Sequence, residues 1–366
     1  MRQADDDISR EEALLLTGEL LRDSNDHAGA RTWLARARAA LPQGGERWAR
    51  ASIELAELEG DGDDDGAALA LATEVRRALP RCVASRRARR LTDRILAGRP
   101  MRQPEEHVDE AEMRLREGDP AGARAEAEAA LATVPLPPLA ARALWTRAQA
   151  ERALRLPAAE ATCLTLARDL PDQPLAPRAL LAGAGSRWNA DDDAGALSLF
   201  RDLAVRFPRS PQAPEAAYGA GRIFQEEGSS EPARYRDAFA TYTQLADSYP
   251  EAALAAEARW RAGWVRYLGG EFGLAERAFR KVPSHADAMR QAAEYWRGRA
   301  LERLGRSAEA HRHWGHLLAR YPTSYYAGLA AERLAHEEPV LEPPAADIRP
   351  PFPAGITDPH GERAVL

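Results

Sequence analysis

Lysine is almost missing from this chain: Lys281 is the sole one among 50 cationic residues, so nearly every positive charge is a guanidinium. That skew reads as a nucleotide-composition bias, although arginine also suits recognition of sugars and carboxylates. Cationic excess is missing too. With 56 acidic residues and a formal net charge of -6, nucleic acid is not an expected partner, because phosphate binding needs clustered positive surface. Cysteine is scarce, and Cys82 and Cys163 show neither metal-ligand spacing nor a disulfide framework, so they do not report the compartment. No apolar run reaches the length of about 18 residues that a membrane-spanning helix requires, which excludes such a span. The opening MRQADDDISREEALLL starts acidic and has only a short apolar run, which is no signal peptide. Also lacking are a nucleophile elbow, a phosphate loop, a dinucleotide fingerprint and a zinc-protease helix. No catalytic residue, metal ligand or cofactor is therefore assigned.

What the chain has in abundance is Ala, Leu and Arg with few β-branched residues, the composition of amphipathic helices. Along it recurs one spacing: a small residue, then alanine twelve positions on, an apolar slot four after that, and proline eight further. Gly18/Ala30/Leu34/Pro42, Ala111/Ala123/Ala127/Pro135, Ala184/Ala196/Phe200/Pro208 and Gly298/Ala310/Trp314/Pro322 repeat it without gaps. This is the signature of a two-helix repeat that stacks on its neighbours. The expected fold is all-α, a right-handed superhelical solenoid of about eight antiparallel helix pairs.

The prolines mark pair ends at Pro42, Pro80, Pro135, Pro171, Pro208, Pro250 and Pro322, with one more end expected near Asp287. The stretch from Pro80 to Pro135 is longer than the others and must hold an extra helix, predicted over 81–98, with Val83, Leu91 and Ile95 on its buried stripe. Its nine-arginine neighbourhood, Arg76 to Arg99, reads as a solvated face or an interaction surface. The solenoid is expected over 8–336. Residues 337–357 follow as a proline-rich connector, and Asp358-Pro359 opens a further helix over 358–366 that looks cut short.

Two clusters invite metal readings. Asp61, Asp63 and Asp65 with Gly66 match the first half of a calcium loop, but position twelve is Ala72. Asn25-Asp26, Asp63 to Asp65, Asp119 and Asp191 to Asp193 all fall in the turn inside a pair, where a carboxylate caps the second helix. On one predicted helix His313 and His316 share a face, His311 points elsewhere, and no carboxylate partner is evident nearby.

The alanine–aromatic–proline frame resembles tetratricopeptide-like repeats over most of residues 11–322. Further, RWRAGWVRYLGGEFGLAERAF (259–279), YWRGRALERLGRSAEAHRHWGHLLARYPTSYYAGLAAERL (295–334) and above all Tyr321-Pro322-Thr323-Ser324-Tyr325-Tyr326 resemble the last repeats of the superhelix of soluble lytic transglycosylases. That resemblance implies the non-catalytic half of a periplasmic enzyme that cleaves peptidoglycan glycan strands, holding the strand for a C-terminal lysozyme-like domain. The family's Gly-Leu-Met-Gln segment is not here; the methionines are Met1, Met101, Met113 and Met289. The alternative is a free-standing repeat protein that docks protein partners in the cell envelope or cytosol. If the superhelix holds glycan strands, the first-helix positions one and four after the small residue face the groove, which nominates Trp188, Arg222, Tyr267 and Arg299.

Overall fold

The computed structural model describes residues 2–97, 102–284 and 286–335. They form eighteen α-helices, with no strand among the described residues. Two compact units divide the chain, residues 1–162 and 163–366. The first holds the pairs α1 (Arg2–Asp23) with α2 (His27–Ala40), α3 (Glu46–Asp61) with α4 (Asp65–Ala78), and α6 (Pro104–Glu117) with α7 (Pro120–Ala132). Between the second and third pairs stands the extra helix α5 (Val83–Ala97), and α8 (Pro137–Ala153) follows. Helix α9 (Ala158–Asp169) begins in the first unit and ends in the second. The second unit then holds α10 (Ala176–Asn189) with α11 (Asp193–Arg206), α12 (Gln212–Glu227) with α13 (Arg234–Ser248), α14 (Ala255–Leu268) with α15 (Phe272–Phe279), α16 (Asp287–Arg303) with α17 (Ser307–Arg320), and α18 (Tyr325–Ala335). The connector and final helix expected over 337–366 lie outside the described residues.

One turn chemistry makes most of the pairs. The chain enters the left-handed region at Asn25, Asp63, Gly118, Arg155, Asp191, Gly270 and Gly305, the usual way a helix is ended. In four of these turns the next residue is an aspartate whose carboxylate accepts a hydrogen bond from a second-helix amide: Asp26 from Gly29 (2.9 Å), Asp64 from Ala67 (3.0 Å), Asp119 from Gly122 (3.1 Å) and Asp192 from Gly195 (2.9 Å). The expected capping role holds, and in the stretch of the half calcium loop it falls to Asp64. The α12–α13 turn departs from this pattern, since GSSEPA lengthens it.

The small residue of the frame exists to let the second helix approach. A Cβ on Gly18 would stand 2.7 Å from Leu34 Cγ, on Gly221 2.6 Å from Tyr242 Cε1, and on Gly263 2.5 Å from Phe279 Cδ1. At Gly298 it would collide with Trp314, which is buried and donates its indole N–H to the Tyr295 carbonyl (3.2 Å). Burying one such aromatic is worth roughly 1.5–3 kcal/mol.

Helix α5 packs on α3 and α4 through Ala84, Ser85, Ala88, Leu91, Thr92 and Ile95. Val83 was expected on this stripe but is 65% exposed, because it sits at the first position of the helix, ahead of the packed turns. The arginines of this region are largely paired. Arg87 binds Glu54 (2.6 Å) and Glu57 (2.5 Å), and Arg89 binds Asp119 (3.1 Å). Arg76, only 1% exposed, holds Glu110 through both terminal nitrogens (2.8 and 2.7 Å) and Glu117 through Nε (2.6 Å). Burial alone would lower the Arg76 pKa; the two carboxylates overcome that and raise it.

The second unit corrects one repeat boundary. Helix α15 ends at Phe279, and Asp287, expected near the end of that pair, opens α16 instead. The frame's Ala275 and Phe279 have by then reached the core, and Pro283 bars the helix from running on to Asp287.

Candidate ligand surface

The first helices of the second unit, α10, α12, α14 and α16, carry the four nominated groove residues. Trp188, near the end of α10, is 3% exposed and meets Phe200 edge-on at 6.4 Å between centroids. The guanidinium of Arg222 on α12 lies 5.9 Å from the Trp188 ring, and Arg222 also pairs with Glu226 (2.9 Å). The structure thus brings these two together, with the tryptophan as a buried base and the half-buried arginine above it.

Tyr267 and Arg299 form a second group. Tyr267 on α14 is half-buried between Trp264 (5.8 Å, parallel), Trp296 (5.1 Å, edge-on) and Phe272 (5.2 Å, edge-on). Burial raises its hydroxyl pKa, against the pull of Arg299 and Arg303. Arg299 on α16 pairs with Glu302 (3.0 Å) and reaches the Tyr295 hydroxyl (3.5 Å). Trp264 itself is buried, stacked on Trp260 at 5.9 Å, so it serves packing.

Between these groups lies a polar cluster that sequence reasoning missed. Arg261 on α14 is 2% exposed, pairs with Glu257 (2.9 Å) and reaches Gln225 on α12 (3.3 Å). Glu257 accepts the Tyr218 hydroxyl (2.5 Å), and Gln225 accepts the Tyr242 hydroxyl (3.2 Å). Burial lifts the Tyr218 phenol to about 12. Arg261 keeps its proton more tightly than usual because Tyr242, Tyr218 and Glu257 outweigh its desolvation. The four-residue step from Glu257 to Arg261 was visible as a helical pair; its burial depends on what α12 presents across the interface.

The histidines separate as the helix period demands. His313 takes a carboxylate after all, Glu294 on α16 at 3.0 Å, while His311 lies beside Trp314 at 5.9 Å between centroids. Among the described residues no three of His, Cys, Asp and Glu gather where they could hold a metal ion. No helix of the described residues is long and apolar enough to cross a membrane.

Comparison with known proteins agrees with this geometry. A tetratricopeptide-repeat family model matches residues 292–324, the pair in which Trp314 fills the Gly298 gap. No curated protein matches the chain. Among solved structures, the apo form of RapI is similar at a TM-score of 0.50 and 10% identity, over 88% of this chain and 95% of that one. The signal-transduction ATPase PH0952 from Pyrococcus horikoshii, with its tetratricopeptide-repeat sensor, gives 0.48 and 12%, over 87% of this chain and 50% of that one. PilW, a type IV pilus biogenesis factor, gives 0.39 and 19%, over 62% and 98%. With its all-α pairs, capped turns and small-to-bulky contacts, the chain has a tetratricopeptide-like helical-repeat fold.

Proposed function

We propose that this protein is a scaffold that docks an extended segment of a partner protein along the first helices of its second unit. The observation that carries the reading is the row itself: half-buried Arg222 over Trp188, Tyr267 against Trp264 and Trp296, and Arg299 beside Tyr295, with the Tyr218–Glu257–Arg261–Gln225 cluster between them. Tyrosine and arginine side chains fixed in this way offer donors and ring faces at little entropic cost, the property of residues that dominate binding interfaces. Selection of displayed peptides against the whole chain tests the reading. Enriched peptides should lose at least about tenfold in affinity when Arg222→Glu and Arg299→Glu are combined, a change of about 1.4 kcal/mol, and should bind Arg168→Glu unchanged. Enrichment of nothing, or peptides indifferent to the double substitution, would overturn it.

A second reading is supported by the Tyr321–Ala330 segment, whose resemblance to the superhelix of lytic transglycosylases points to glycan strands as the ligand and the periplasm as the location. On that reading Arg222, Tyr267 and Arg299 would face sugars, with Trp188 buried beneath Arg222, and the chain would co-sediment with purified cell-wall sacculi in a manner lost with the same double substitution.

A further inference from the structure

Away from the row of first helices, the grooves between successive second helices repeat in a single register. The floor of each is the first helix of the later pair, at eight, four and one positions before its small residue. In α12 these are Ala213, Ala217 and Ala220, which floor a cleft of 530 Å³ between α11 and α13. In α14 the same positions hold Ala255, Arg259 and Ala262, of which Arg259 and Ala262 line the cleft between α13 and α15. In α16 they become Arg290, Glu294 and Arg297, the floor of a cleft of 450 Å³ whose wall is α17. Three alanines satisfy the fold at these places in α12, so helix pairing alone does not call for the charges on α16.

The α16–α17 cleft has a surplus of cations. Arg290, Arg297, Arg312 and Arg320 line it together with His313 and His316, against the carboxylates of Glu294 and Glu309. Both carboxylates are engaged: Glu294 by Arg290 (2.5 Å) and His313 (3.0 Å), and Glu309 by Arg306 (2.6 Å) from outside the cleft. Arg297 is turned by Glu276, which accepts from its Nε at 2.8 Å. Arg312 is 76% exposed and stands 3.9 Å from Glu309, too far for a hydrogen bond. Arg320 rests on the Tyr321 ring (5.4 Å) and donates from Nε to its hydroxyl (3.0 Å). Half-buried Tyr321, over the buried Leu317, adds apolar surface between these charges.

We propose that this cleft takes an acidic segment of a partner protein, a run of Asp and Glu side chains interrupted by apolar ones. Arginine forks match carboxylates in pairs, and the apolar strip suits the intervening side chains. The inference rests on the docking reading above but uses a different face of the repeat. A polyanion such as nucleic acid is disfavoured by the acidic balance of the whole chain.

The test is fluorescence anisotropy of a fluorescein-labelled peptide of alternating Glu and Leu, added to the full chain at low salt. Binding should weaken with added salt and fall at least about tenfold in Arg312→Glu combined with Arg320→Glu. Both positions are exposed, and circular dichroism should confirm that the double variant keeps its helical signal. Arg236→Glu, 75% exposed and outside the cleft, should bind like the parent. No binding by the parent chain would overturn the proposal, as would displacement by inorganic phosphate but not by unlabelled peptide. Loss of binding in the Arg222→Glu and Arg299→Glu pair, with the cleft variant unaffected, would move the acidic peptide to the first-helix row; that overturns the cleft and leaves the docking reading standing. Failure of the displayed-peptide selection alone removes the row and leaves the cleft to be judged by its own titration.

Discussion

At the slot four residues after the second-helix alanine, the first unit carries Leu34, Ala72 and Ala127, and the second carries Phe200, Tyr242, Phe279 and Trp314. Facing them are Gly18, Ala56 and Ala111 in one unit, and Ala184, Gly221, Gly263 and Gly298 in the other. The same frame is therefore filled in two ways. Small against small, as at Ala56/Ala72 and Ala111/Ala127, brings helices together with little apolar side chain between them, whereas an aromatic against glycine or alanine buries a large surface in one contact. Buried polar contacts stitch both units, in the second through the Tyr218–Glu257–Arg261–Gln225 cluster between α12 and α14. The first unit holds Arg76 between Glu110 and Glu117, and Glu54 and Glu57 with Arg87, across its helix interfaces. In the second unit the Trp264–Tyr267–Trp296–Tyr295 cluster joins α14 to α16 largely through ring contacts. The difference teaches that a repeat frame specifies where helices meet, and leaves open whether volume or charge makes the meeting specific.

Removing the volume should have the largest effect. Trp314→Ala deletes a buried ring and opens a cavity against Gly298, a loss of about 3–5 kcal/mol. The equivalent slot in the α6–α7 pair is already alanine, and Ala127→Gly should cost only about 1 kcal/mol, the helix-propensity penalty. Hydrogen exchange read by mass spectrometry should show protection falling in α16 and α17 for the first substitution and barely changing in α6 and α7 for the second. Equal losses in both would remove the distinction between the two fillings.

Charge is the second way to break the comparison. Arg76→Met keeps most of the arginine stem's volume but leaves Glu110 with Arg114 alone and Glu117 with only Arg89 at 3.8 Å, which should cost about 3 kcal/mol, the low end for breaking a buried pair. Replacing Glu110 and Glu117 by glutamine in the same chain should recover part of that loss, since uncharged amides are cheaper to bury than carboxylates that have lost a cation. Denaturant unfolding of the three chains measures both. If Arg76→Met were neutral, the network would be ornament rather than the device that holds α4, α5 and α6 in register.

How much of this was legible follows from what each signal encodes. The frame is local, a repeat of small, bulky and proline residues within one hairpin, and it correctly located the capped turns at Asp26, Asp64, Asp119 and Asp192 and the extra helix before Arg102. Arg76 and Glu110 are 34 residues apart on different helices, and His313 and Glu294 are 19 apart. Periodicity reports that a face is buried and is silent on which polar group the neighbouring helix presents to it. Of the nominated surface, Arg222, Tyr267 and Arg299 are half-buried beside their row, while Trp188 lies beneath it. The step from a first-helix position to an open face assumed that side chains one and four after the small residue clear the next helix, which a ring as large as indole at Trp188 does not.

Acid sharpens the comparison with the smallest effect. In the second unit Glu294 and Glu276 are partly desolvated, which favours their neutral forms, yet the hydrogen bonds and charges of His313, Arg290 and Arg297 on the first, and of Arg280 and Arg297 on the second, hold both below the ordinary glutamate range. A carboxyl whose folded pKa is depressed stabilises the fold fully above its unfolded value of about 4.3, and that contribution disappears as pH falls through the folded value. The α16–α17 region should thus lose protection against hydrogen exchange as pH drops below the ordinary glutamate range, and Glu294→Gln should flatten that dependence while lowering stability at neutral pH. An unchanged acid profile in Glu294→Gln would mean that the His313 and Arg290 contacts contribute no more than exposed pairs do, leaving the aromatic contacts to hold α16 against its neighbours.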